Sequence, residues 1–260
     1  MALIDTHTHL YLPEFDNDRA DVVRKAKEAG VEKMLLPNID SGSIACMLKL
    51  CNDYPDVFFP MMGLHPGSVK ADYTEELKII KEHLFKGSYI AVGEIGIDLY
   101  WDKTFLPQQF DAFEQQVVIA REMNIPVVIH ARESFAEIFS ILDKFRGTGL
   151  RGVFHSFTGG LAEIEKILEY DFYFGINGIV TFKNSGLDKV VAQIPLDRIL
   201  LETDSPYLSP VPKRGIRNES SHVKYINDFL ARLFLIAPDK FAEITSNNAE
   251  MLFKTALYVR

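Results

Sequence analysis

Histidine and carboxylate side chains recur at one position in the local pattern of this chain, the end of a short apolar run. His7 and His9 close LIDTHTH, His65 closes VFFPMMGLHP, Glu94 and Asp98 close YIAVGEIGID, His130 closes PVVIHAR, His155 closes RGVFHSF, and Glu202 and Asp204 lie in ILLETDSPY. If eight such run ends each span about four positions, they cover roughly an eighth of the chain, and about one histidine would fall there by chance. Of the seven histidines, five do. A strand alternates its faces, so His7 and His9 present both rings to the same side. Imidazoles combined with carboxylates suit Zn²⁺, Mn²⁺ and similar ions. His7, His9, His130 and His155 with Glu94 and Asp204 are too many ligands for one open site, and they suffice for two divalent ions sharing a bridging carboxylate. A lone histidine at a strand end is more often a hydrogen-bonded core residue. Taken together, that bland reading would leave several polar groups unpaired in an apolar mouth, which is costly. Asp98 and Glu202 read equally well as supports that orient a ligand or a water. His83, in KIIKEHLF, reads as solvated and His222 as a residue of a polar loop or helix start.

Eight runs of this kind, with KMLLPNI and FYFGINGIV completing the set, are near-continuously apolar, as parallel strands buried on both faces must be. Helical periodicity follows the runs. Residues 18–29 form one helix, stopped by Gly30. Residues 106–123 form another, with Pro107 in its first turn. Ser134 opens a third, with Glu137 placed to complete a capping box. Residues 221–256 read as two more helices, one of which completes the last unit. Gly63, Gly93 and Gly96 flank run ends, where tight turns need them. Strand and helix alternating eight times in 260 residues predict an α/β fold, a (β/α)₈ TIM barrel with an extra C-terminal helix, as one domain over 1–260. In that fold the C-terminal strand ends carry the active site.

Hydrophobic residues make up 47% and charged residues 25%, an ordinary globular balance that excludes disorder and collagen-like structure. Cys46 and Cys51 are too few for a disulfide framework or a thiolate metal site and read as reduced thiols. With no signal-like N-terminal segment and no apolar run near ~20 residues, the expectation is a soluble, cytoplasmic protein without a membrane role. No obligate protein partner is evident. A net charge of −8 disfavours broad wrapping of duplex DNA, while leaving room for phosphate where metal ions supply positive charge. Beyond Asp204, the stretch SPYLSPVPKRGIRNESSHV places Lys213, Arg214 and Arg217 in a candidate substrate-facing loop.

The ordered motifs IDTHTH (4–9), GLHP (63–66), GEIGID (93–98), QQFDAFEQQVVIA (108–120), PVVIHAR (126–132), GVFHSFTG (152–159), ETDSPYLSP (202–210), KRGIRNES (213–220) and NNAEMLF (247–253) resemble the TatD family of metal-dependent hydrolases, or TatD-type deoxyribonucleases, within the amidohydrolase superfamily. The resemblance runs the full length. It departs at Gly67, where many members have a second histidine, at Glu133 in place of aspartate, and at Ser220 in place of proline. It implies that His7, His9 and Asp204 hold one metal, that His130 and His155 hold the other, and that Glu94 bridges them. It places His65 against the phosphate or the departing group.

The expected chemistry is two-metal hydrolysis with Mg, Mn or Zn. Asp204 is the candidate general base, and His65 with Lys213, Arg214 and Arg217 stabilises phosphate. The resemblance implies a 3′-to-5′ exodeoxyribonuclease or related phosphodiesterase acting on single-stranded or frayed DNA ends. The alternatives are an ester or amide hydrolase, such as a lactonase or aminoacyl-tRNA deacylase, using the same metals, and a non-catalytic barrel, which predicts a missing ligand. No ligand is missing.

Overall fold

In the computed structural model, which describes residues 2–253, strands and helices alternate in chain order. The strands are β1 (Leu3–Asp5), β2 (Val31–Pro37), β3 (Phe58–Met61), β4 (Val92–Asp98), β5 (Val127–Arg132), β6 (Gly152–His155), β7 (Tyr173–Ile176) and β8 (Ile199–Leu201). The helices are α1 (Arg19–Glu28), α2 (Ile44–Asp53), α3 (Tyr73–Lys86), α4 (Leu106–Met123), α5 (Phe135–Leu142), α6 (Leu161–Glu169), α7 (Leu187–Val191), α8 (Val223–Leu233) and α9 (Pro238–Phe253). All strand pairs are parallel, in the orders β1-β2-β3 and β4-β5-β6-β7-β8. Backbone bonds join the two groups at both seams. Gly93 N donates to Met62 O at 3.0 Å, Thr6 N to Leu201 O at 2.9 Å and His9 N to Ser205 O at 2.9 Å. The strands thus form the ring of a TIM barrel, as the alternation of runs predicts.

Strand parity sorts the apolar side chains into two layers. Ile4, Leu35, Phe59, Met61, Val128, Val153 and Leu200 share one cluster with Ala249, Leu252 and Phe253 of α9. Their strand neighbours Leu3, Met34, Leu36, Phe58, Val127, Ile129, Phe154, Ile199 and Leu201 belong to the larger cluster shared with the helices. The first set fills the barrel and the second seals it to its helical jacket. The extra helix α9 closes the floor, and Asn248 holds it there by donating to the carbonyls of Leu196 (2.8 Å) and Ile199 (2.9 Å). Two residues further along the inward face, Val128 is followed by His130, Val153 by His155 and Leu200 by Glu202. The apolar layer therefore gives way to a polar one at the strands' C-terminal ends.

The helix predicted over 18–29 spans Arg19–Glu28, with Gly30 beyond it at φ 89°, and the helix over 106–123 is as expected. The stretch 221–256 yields α8 and α9, its last three residues lying outside the described ones. Two local expectations are corrected. Ser134 precedes α5 but makes no cap: its Oγ donates to Ile97 O at 2.5 Å, tying α5 to β4, because a buried strand carbonyl offers a competing acceptor. Gly93 and Gly96 lie inside β4, not in turns. A Cβ on Gly96, whose φ is +147°, would stand 2.0 Å from His130 O, so the residue permits close approach of β4 to β5. No helix of the described residues is long and apolar enough to cross a membrane.

Candidate metal centre

Six ends of the ring contribute side chains to one buried cluster, and the Glu94 carboxylate is its centre. Its two oxygens face different groups. Oε1 lies 2.8 Å from His130 Nδ1, 3.5 Å from His65 Nε2 and 3.7 Å from His155 Nε2. Oε2 lies 3.1 Å from His7 Nε2 and 3.9 Å from His9 Nε2. Asp204 Oδ1 completes the second side at 3.6 Å from His9 Nε2 and 3.8 Å from His7 Nε2, and it stands 3.7 Å from His155 Nε2. Burial alone would raise the Glu94 pKa. The imidazoles of His65, His7 and His155 and the hydrogen bond from His130 outweigh it and hold the carboxyl well below the usual range. Burial pushes Asp204 in the same direction and is likewise outweighed, by His155, His9 and His7.

Hydrogen bonds fix which nitrogen of each ring is available. Tyr11 donates its only hydroxyl proton to Pro37 O at 2.6 Å, so its oxygen accepts from His9 Nδ1–H at 3.0 Å and His9 turns Nε2 to the cluster. For His155 the contact is an ion pair without hydrogen-bond alignment: Glu202 Oε1, which accepts from Ser156 N at 2.6 Å, lies 3.0 Å from Nδ1, while Nε2 faces Glu94 and Asp204. Glu202 and Asp204 thus flank the two nitrogens of one ring. His65 is the reverse case. Its Nδ1 accepts from Gly67 N at 2.9 Å, so Nε2 carries the proton and acts as a donor, not as a bare ligand. His130 has carboxylates on both nitrogens, Glu94 on Nδ1 and Asp98 on Nε2 at 2.9 Å.

His7 shows that these residues suit a cation. Its ring is buried and stacked 3.4 Å from that of His155, and neither nitrogen has a hydrogen-bond partner. The 3.1 Å approach of Nε2 to Glu94 lacks hydrogen-bond alignment. Burial and the neighbouring His155 lower the His7 pKa, which favours the neutral ring, the form that ligates a metal. Ligands ~2.1 Å from a common ion stand about 3.0–3.4 Å apart, close to the separations found here. In three groupings one donor atom from each residue lies within 4.8 Å of the others: His7–His155–Asp204, His7–His9–Glu94 and, with His65 as the outer member, His65–Glu94–His130. Among the described residues, every ion-pair contact of Glu94, Asp98, Glu202 and Asp204 is to an imidazole. That negative cluster calls for divalent charge.

The cationic residues beyond β8 do not gather at the cluster. Arg217 grips Asp18, with Nη2 2.7 Å from Oδ2, donates to Glu14 O at 2.6 Å and lies 4.4 Å from the Phe15 ring centre. Arg214 lies 3.9 Å over Phe182 and Lys213 5.7 Å from the Tyr225 ring. Sequence reasoning missed Tyr11, although the alternation of His7 and His9 extends to it. It also missed Gln109, whose side chain brackets Asp98 by accepting from its N at 2.9 Å and donating to its O at 3.3 Å. Among the described residues His83 lies 3.5 Å from the Tyr89 hydroxyl, away from the cluster, and His222 is buried with Nδ1 on Asn218 at 2.9 Å.

Comparison with known proteins gives the same outline. Residues 4–254 match the family model described as TatD related DNase. The metal-dependent hydrolase YabD of Bacillus subtilis is 36% identical over 253 residues, covering 97% of this chain and 99% of the relative. The 3′-5′ ssDNA/RNA exonuclease TatD of Edwardsiella piscicida is 31% identical over 260 residues, covering 98% and 100%. The crystal structure of YjjV, a TatD homologue from Escherichia coli, superposes with a TM-score of 0.90 at 28% identity, covering 97% of this chain and 98% of that one.

Proposed function

The chain belongs to the TatD-related DNase family and is a metal-dependent hydrolase, and from that premise we propose that it is a two-metal phosphodiesterase that removes nucleotides from the 3′ ends of single-stranded DNA. The observation that carries the two-metal part is the division of the Glu94 carboxylate, one oxygen toward His130 and the other toward His7 and His9. His7, His9 and Asp204 would hold one ion, His130 and His155 the other, with Glu94 between them. The nuclease part is supported by the exonuclease named among the relatives. Residues 1–260 are read as one catalytic domain.

Bound divalent ions supply Lewis acidity, lowering the pKa of water and neutralising charge on the phosphoryl group. The remaining work falls to the chain. Asp204 is ionised, and its Oδ1 is the atom nearest the imidazoles, so Oδ2 takes the proton from the attacking water. His65, partly exposed, donates Nε2–H to a phosphoryl oxygen or to the departing group. Glu202 and Tyr11 keep His155 and His9 in the ligating orientation. Lys213 and Arg214 meet the phosphates of the incoming strand, and Arg217, through Asp18, pins the loop that carries them.

The test is a side-by-side assay of the protein, stripped with chelator and reloaded with Mg²⁺, Mn²⁺ or Zn²⁺, on 5′-labelled single-stranded DNA, RNA, aminoacyl-tRNA and lactones. Stepwise shortening of the DNA that requires added metal is the expected result. Intact DNA beside rapid cleavage of an ester or aminoacyl bond would move the same site to the carbonyl-hydrolase alternative.

A further inference from the structure

The loop after β4 puts aromatic surface beside this polar centre. Tyr100 is 50% and Trp101 76% exposed. Large exposed rings mark contact surfaces, because leaving them in water forgoes the burial of large aromatic area. These two are not on a loose tether. Tyr100 N donates to Asp98 Oδ1 at 2.9 Å and Trp101 N to the same oxygen at 3.4 Å, while Asp98 Oδ2 lies 2.9 Å from His130 Nε2. One carboxylate therefore fastens the aromatic loop and an imidazole of the metal centre to each other. The Arg132 guanidinium lies 3.9 Å over the Tyr100 ring and 5.3 Å from that of Trp101, and the two rings meet edge to face at 4.8 Å.

Trp101 also walls a cavity of about 270 Å³, which Gly67, Val69, Lys70, Asp102 and Phe105 help to line. Lys70 sits there 5.5 Å from the Phe105 ring and 3.9 Å from Asp102. Flat apolar walls, a lysine and a bracing guanidinium are the elements with which proteins hold the bases of single strands, since every base has a π face and every link a phosphate. Gly67, at the cavity's other edge, is the residue whose N–H sets the His65 tautomer. The cavity thus adjoins both His65 and the His130 side of the centre.

We infer that this cavity is a subsite for an unpaired nucleobase, stacked on Trp101 while the neighbouring phosphodiester lies at the metal centre; the inference rests on the nuclease reading above. A base inside a duplex is already stacked and cannot enter, so the subsite favours single-stranded ends.

Trp101 is the single tryptophan of the chain, so its emission reports on this loop alone. Titrating the metal-loaded protein with a phosphorothioate-linked oligothymidylate, which resists hydrolysis, quenches that emission, and an abasic chain of the same length does not. On labelled single-stranded DNA, Trp101→Ala raises KM about tenfold and leaves kcat within about twofold, the expected loss of one stack, and Trp101→Phe restores most of it. Phe85→Ala, which removes another exposed ring at the far end of α3, leaves KM unchanged. A wild-type KM for Trp101→Ala, or equal quenching by the abasic chain, overturns the subsite and leaves the nuclease reading standing. Failure of the wild-type protein to cut DNA at all removes the reading beneath it.

Discussion

At the residue scale, most of the weight falls on Glu94, whose one carboxylate faces two groups of imidazoles. Glu94→Ala should lose both ions and about a thousandfold in turnover, while the metal-free protein still folds by circular dichroism. Retention of one ion with near-normal turnover would place Glu94 outside the ligand set. His65→Ala should lower kcat about a hundredfold with metal content unchanged, because its Nε2 is a donor. Loss of an ion from that variant would make His65 a ligand. The protons of the metal-free cluster give a third expectation. Burial would depress His130 and His155, but the carboxylates around them prevail and raise them to about 9 and about 10. Both rings are protonated at neutral pH without metal, and an ion must displace those protons. Calorimetric titration at pH 7 in buffers of different ionisation enthalpy should show proton release on metal binding, and apparent affinity should climb as pH rises toward 9. Uptake with no proton release would contradict that picture. The residue types were legible in the sequence because imidazoles and carboxylates ended apolar runs. Their tautomers were not. The proton on His9 depends on Tyr11 and on the carbonyl of Pro37, 26 residues further along, which no local pattern connects.

At the element scale, strand parity carries the design. The alternation that makes Val128, Val153 and Leu200 core brings His130, His155 and Glu202 into the polar cluster two residues later, and the apolar runs of the sequence show that alternation. The glycines in β4 were read as turn formers because the sequence does not show how tightly two strands must approach. Gly96→Ala should force β4 from β5 and cost roughly 3 kcal/mol or more in urea unfolding, with loss of metal affinity following from the displaced His130. Native stability and affinity in the Gly96→Ala variant would show that the contact relaxes freely. Ser134 makes the same point for helices. Its capping signature was correct as a pattern, yet the Ile97 carbonyl lay within reach and took the hydroxyl.

For the molecule as a whole, a net charge of −8 leaves bound divalent ions to supply the positive charge that a phosphate would meet at the site. Single strands lose affinity with a slope near −0.7 in log K per log salt for each phosphate neutralised, so a site gripping about three phosphates should show a slope near −2. Binding of fluorescent oligothymidylate across 50–300 mM KCl measures it. A slope several times steeper would mean an extended basic track that the −8 net charge argues against. The ring closure described above also bears on the order of events during synthesis. Thr8 meets Ser205, 197 residues later in the chain, and the proposed ligands His7, His9 and Asp204 come together only at that seam. At translation rates of about 5–20 residues per second, the first histidines wait about 10–40 s for their carboxylate. A ribosome-bound fragment ending before β8 has no complete centre, so a hydrolase of this design stays inert beside the messenger RNA that encodes it until nearly all of its barrel has been made.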